Sequence, residues 1–140
     1  MDDIKPVFGS IDIGKTDKEL KQEKRKIIVQ EKERLARLAG NKEKLVLYGL
    51  GKDGVALWNC LGETIRSRLV FCDKKAEHEA FYFHEKQVVK PEELLTKFGD
   101  YEILVTSSGF YREIYAELSD IGVDTDRIIC NTISLWEEDE

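Results

Sequence analysis

Beyond Lys42 the apolar residues fall into short continuous runs separated by polar turns. "KLVLY", "SRLVFCD", "YEILVTSS" and "RIIC" are each a few residues long and lack polar alternation, as expected of strands covered on both faces. Between them lie helix-like pieces: "VALWNCL" closed by Gly62, "PEELLTKF" opened by Pro91, and "YREIYAELSDIG" stopped at Gly122. The stretch "AFYFHEKQVV", with alternating aromatics at Phe81 and Phe83 and a short strand at Gln87 to Val89, reads as a hairpin-like element. Strands alternating with helices predict an α/β fold, a three-layer Rossmann-like arrangement around a mostly parallel sheet.

The stretch before Lys42 has a different texture. From Asp17 to Arg34 most residues are charged, with both signs alternating, and Thr16 followed by Glu19 forms a capping box. Pairs such as Asp17 with Lys21 and Glu33 with Arg37 stand four apart, which predicts a helix to about Ala39, stopped by Gly40 and Asn41. Its apolar stripe of Leu20, Ile27, Ile28, Leu35 and Leu38 is thin. Such a helix can lie against its own domain, form a homodimer seam, or link the domain to a larger parent protein. The expected organisation is an N-terminal extension with a charged helix (1–41), a nucleotide-binding domain (42–135) and an acidic tail (136–140).

Length and charge narrow the class. A chain of 140 residues can bury roughly 65–70% of its unfolded surface in one core without staples. The formal net charge of −6 gives no basic stripe for nucleic acid. The start "MDDIKPVF" is unlike a secretion signal, and no window is apolar enough for a membrane span. Cys60, Cys72 and Cys130 are scattered and odd in number, which fits reduced thiols in a soluble, cytoplasmic protein without a metal site.

Two stretches match phosphate-loop patterns. "GSIDIGKT", Gly9 to Thr16, satisfies G-x-x-x-x-G-K-[ST] by letters. Its preceding segment "IKPVF" is short and contains a proline, and the helix after it is the most charged in the chain, so the context of a triphosphate loop is missing. "GLGKDG" has that context. Gly49, Gly51 and Gly54 lie where an apolar strand gives way to a helix, as in the dinucleotide pattern. There the first glycine turns the chain, the second admits a pyrophosphate, and the third allows helix and strand to pack closely. Asp73 stands 22 residues after Gly51 and ends "LVFCD", where an acid can accept hydrogen bonds from ribose hydroxyls. Lys74 and Lys75 follow it, but the carboxylate favours a ribose without a 2′-phosphate. Thr106, Ser107 and Ser108, at the end of the third core strand, either line the same crevice or cap the following helix. The expected ligand-binding set is Gly49, Leu50, Gly51, Lys52, Asp53, Gly54, Asp73, Lys74, Thr106, Ser107 and Ser108.

The segments "KLVLYGLGKDGVALWNCL", "VFCDKK" and "QVVKPEELLTKFGDYEILVTSSGFYREIYAELSDIGVDTDRII" resemble the small Rossmann-like domain attached to bacterial polysaccharide and nucleotide-sugar enzymes. That group includes the amino-terminal parts of CapD-like dehydratases and of sugar acyltransferases, and appendages of some glycosyltransferases and methyltransferases. The resemblance runs from about Lys44 to Ile129 and implies that Gly49, Gly51, Gly54, Asp73, Thr106 and Ser107 face a nucleotide or nucleotide sugar. The chain departs from the group's pattern in a hairpin without glycines and in Cys72 before the acid.

No residues point to catalysis. Tyr48/Lys52 spans the glycine turn, and Tyr82/Lys86 lies in a strand-like segment, where that spacing separates the groups by about 13 Å. His78 and His84 lack metal-ligand spacing and read as surface or loop residues, and Trp58 as a packing residue rather than a base-stacking ring. The expectation is a nucleotide-binding module for NAD(H) or a nucleotide sugar. The alternatives are a small oxidoreductase completed by dimerisation and a nucleotide-sensing regulatory domain.

Overall fold

A computed structural model describes residues 16–136. The "GSIDIGKT" pattern up to Lys15 and the tail "EEDE" lie outside the described residues.

The fold is mixed α/β. In chain order, helix α1 (Asp17–Gly40) precedes strand β1 (Leu45–Tyr48), helices α2 (Lys52–Trp58) and α3 (Glu63–Arg68), and strand β2 (Val70–Cys72). A hairpin of β3 (Tyr82–Phe83) and β4 (Lys86–Gln87) leads to β5 (Glu102–Val105), α4 (Tyr111–Ile121) and β6 (Ile128–Cys130). β2, β1, β5 and β6 pair in that order, all parallel, while β3 and β4 pair antiparallel.

The unbroken apolar runs are explained by two cores, one on each face of the sheet. Leu45, Leu47, Phe71 and Leu104 face one core with Leu35 and Ala39 of α1 and Leu57 of α2. Val46, Tyr48, Cys72, Ile103 and Val105 face the other with Leu94 and Leu118. Both sets stand in strands whose side chains alternate, so an apolar residue is required at every position.

Helix α1 begins at the expected capping box, with the Glu19 N–H donating to Thr16 Oγ1 (3.1 Å) and the Thr16 N–H to Glu19 Oε1 (2.9 Å). Its second half is part of the domain: Ile28, Leu35 and Ala39 are buried, and the Arg68 guanidinium donates to the carbonyls of Ala39, Gly40 and Lys42 at the helix end. Leu20, Ile27 and Val29 remain exposed.

Three local expectations need correction. "PEELLTKF" forms only a 3-10 turn, Pro91–Leu94, because Thr96 to Asp100 fold into turns that return the chain to β5. The strand drawn from Ser67 starts at Val70, since "ETIRSR" makes the short helix α3. The strand drawn at Gln87 to Val89 is split: Gln87 belongs to the hairpin, while Val89 makes a parallel bridge to Cys72 at the sheet edge.

Candidate nucleotide-binding crevice

The strand order creates the crevice. From β1 the chain crosses to β2 through α2 and α3 on the Leu57 side; from β5 it crosses to β6 through α4 on the Leu118 side. Connections leaving neighbouring strands in opposite directions part at their carboxyl ends, here between Gly49 and Thr106. A crevice of about 640 Å³ opens at that point. All eleven expected ligand-binding residues line it, together with Tyr48, Lys75, Gly109, Phe110, Glu113, Ile114, Glu117, Ser134 and Trp136.

The three glycines do different work. Gly49 has φ +99°, a left-handed conformation that turns the chain out of β1, while its N–H still donates across to the Cys72 carbonyl of β2 at 2.9 Å. A Cβ on Gly54 would lie 2.2 Å from the Gly49 carbonyl oxygen, so only glycine lets α2 approach the turn. Gly51 is the opposite case: nothing lies within 4 Å of the Cβ position, which points into open space. Helix bonding starts with the Val55 N–H donating to the Gly51 carbonyl at 3.0 Å. The N–H groups of Lys52, Asp53 and Gly54 therefore precede the helical ladder, beside Gly51, which contributes no side-chain cap.

Asp73 is fixed in place at one end. Its Oδ2 accepts from the Leu50 N–H and its Oδ1 from the Lys75 N–H, each at 3.0 Å. A carboxylate has about four acceptor sites, so one on each oxygen remains for a hydroxyl. Lys74 Nζ reaches Glu117 at 3.2 Å in an exposed ion pair.

Asp53, Thr106 and Ser108 are tied into the protein. Asp53 is only 7% exposed; its Oδ2 accepts from the Ser108 N–H and hydroxyl, both at 2.9 Å, and its Oδ1 from the Leu135 N–H at 2.7 Å. The Thr106 hydroxyl, also buried, donates toward the carbonyls of Gly49 (2.7 Å) and Tyr48 (3.1 Å). These residues hold the glycine turn, the loop after β5 and the segment after β6 in register. The helix-cap alternative for Thr106 to Ser108 is set aside: α4 starts at Tyr111, with Phe110 at its cap position and no side-chain cap bond.

Sequence reasoning missed the segment Asn131–Trp136. Buried Asn131 donates to the Thr106 carbonyl at 2.9 Å, Leu135 is fully buried, and Lys52 Nζ sits 4.0 Å from the centroid of the Trp136 ring. Asp53 and Leu135 are 82 residues apart, beyond any local pattern.

Burial raises the pKa of Tyr48 and of Cys72, with the Asp73 carboxylate next in effect on the thiol. Both groups stay protonated near neutral pH, so neither is a base or a thiolate nucleophile. Trp58 packs against Phe83, His84 and Arg66, away from the crevice. Lys86 Nζ donates to the carbonyls of Arg66, Ser67 and Leu69. Among the described residues no group of three or more metal-ligating side chains converges, and no helix is long and apolar enough to cross a membrane.

A family model, C2185-like, N-terminal, matches residues 41–129, more than half of the chain, and the protein belongs to that family. The matched residues include the whole crevice except Ser134 and Trp136, and exclude α1 up to Gly40. Comparisons with curated proteins and with solved structures find no match.

Proposed function

We propose that the crevice binds NAD(H) or a nucleotide sugar in a three-layer Rossmann-like module serving bacterial sugar or polysaccharide biosynthesis. The observation that carries the binding reading is Gly51. Its open Cβ position lies between a glycine needed for the turn and one needed for close packing, where a diphosphate would approach the backbone. The N–H groups of Lys52, Asp53 and Gly54 would donate to the phosphate oxygens, with the Lys52 ammonium adding charge. Asp73, held by the N–H groups of Leu50 and Lys75, would accept the ribose diol on its remaining lone pairs.

The reading is a binding module. A nicotinamide would bring hydride chemistry; Tyr48, which lines the crevice, and Cys72 behind it are kept protonated by burial and so are not bases. A second reading, an oxidoreductase completed by dimerisation, is favoured by the exposed Leu20, Ile27 and Val29 on α1. A strict monomer in a solution mass measurement would rule it out.

A ligand panel followed by melting temperature tests the module. At 1 mM, a ligand with 10 μM affinity stabilises the fold by about 2.7 kcal/mol. NAD or a UDP-sugar should raise the melting temperature. No shift with NAD, NADP, ATP, UDP-sugars or coenzyme A would end the nucleotide reading.

A further inference from the structure

We infer that Trp136 forms the far wall of the crevice and stacks on the second ring of a nucleoside diphosphate ester, beyond its diphosphate. This deepens the nucleotide reading and rests on it.

Two ends of the crevice are distinguishable. Asp73 follows β2, on one side of β1; Trp136 belongs to the segment after β6, on the other side, and the glycine turn lies between. The segment that presents Trp136 is locked. The Asn131 N–H donates to the Val105 carbonyl and its side-chain amide to the Thr106 carbonyl, both at 2.9 Å, and Leu135 is buried with its N–H on Asp53. The backbone is therefore fixed one residue before a half-buried indole that borders open space.

What covers that indole is weakly held. Lys52 is exposed, and its ammonium lies over the Trp136 ring at 4.0 Å. Such a contact between exposed groups is weak in water. A diphosphate on the glycine turn would compete for the same ammonium, because Lys52 is the first residue of α2. Drawn toward the phosphates, the lysine would uncover the ring. A planar base stacks on such a face, and a sugar ring presents C–H groups to it. A nucleoside diphosphate alone supplies the charge but has no second ring to occupy the uncovered indole.

Titration calorimetry of the full chain tests this with NAD and UDP-glucose as esters, and ADP and UDP as the corresponding diphosphates. Trp136→Ala is expected to weaken the ester that binds by about ten-fold, within the range measured for aromatic stacking. Trp136→Phe should restore most of that loss. The affinity for the matching diphosphate should change less than about two-fold, because the phosphate cradle is intact. A base on Trp136 would show in the NAD arm and a sugar in the UDP-glucose arm. Equal losses for ester and diphosphate, or none for either, would overturn the inference while leaving the nucleotide reading standing. Failure of the unsubstituted protein to bind any of these compounds would overturn both.

Discussion

The two tryptophans occupy opposite kinds of surroundings. Trp58 has both ring faces filled: His84 stacks at 3.7 Å and 11°, and the Arg66 guanidinium lies 3.7 Å from the same centroid, too close for the two to share one face. Phe83 closes its edge. Trp136 has an exposed lysine over its ring and borders open space. The same division runs through the glycines, since Gly54 is crowded by the Gly49 carbonyl and Gly51 meets nothing. Around the hairpin the chain satisfies itself. Around the glycine turn it leaves backbone donors, carboxylate lone pairs and an aromatic face with capacity to spare, and the proposed ligand reading rests on that contrast.

The crowded position should fail first. Gly54→Ala forces its Cβ into the Gly49 carbonyl at 2.2 Å, a contact with backbone that no rotamer relieves, and is expected to cost about 3 kcal/mol or more. Gly51→Ala should stay within about 0.5 kcal/mol of the parent, and equal losses in denaturant unfolding would erase the contrast.

Asp53 belongs to the satisfied side, although it lies inside the glycine pattern. Asp53→Ala leaves the N–H groups of Ser108 and Leu135 without their acceptor and should cost about 2–3 kcal/mol. Urea midpoints would measure it, and a neutral result would show that the segment after β6 is not anchored there.

Buried Cys72 predicts an alkaline limb. Its folded pKa is raised by burial, so above about pH 8.5 the unfolded chain loses a thiol proton that the folded chain keeps. The stability present below that pH then falls by about 1.4 kcal/mol per pH unit until the folded pKa is reached. In unfolding scans from pH 8 to 10, Cys72→Ala should make this limb shallower, leaving the part due to Cys130, whose thiol is also raised by burial, and an unchanged slope would remove Cys72 as a cause.

The hairpin turn carries the smallest effect. His84 at φ 48° and Glu85 at φ 71° adopt the left-handed pair that a two-residue turn demands, without a glycine. Glu85→Gly should add about 0.5 kcal/mol in thermal unfolding, as relief of backbone strain exceeds the added entropy of the unfolded chain. A loss would mean that the Glu85 side chain stabilises the turn.

The sheet was legible because buried parallel strands write themselves as unbroken apolar runs, and the glycine turn because Gly49 and Gly54 each answer a local need. Helix α3 was not, since "ETIRSR" shows little apolar periodicity and is held by the Arg66 and Arg68 contacts. The anchoring role of the Asp53 carboxylate was not legible, because its partners Ser108 and Leu135 lie 55 and 82 residues away. Trp136 was assigned to the acidic tail for the same reason: only the folded chain brings it beside Lys52.

The central claim is that the open space at Gly51 is where a phosphate meets the backbone. Calorimetric titration of NAD and of UDP-glucose into the parent chain and into Gly51→Ala, with melting temperatures of both, tests it most directly. The account predicts saturable binding of at least one ligand by the parent and its loss in Gly51→Ala at an unchanged melting temperature. Binding of equal strength by both proteins, or by neither, would contradict it.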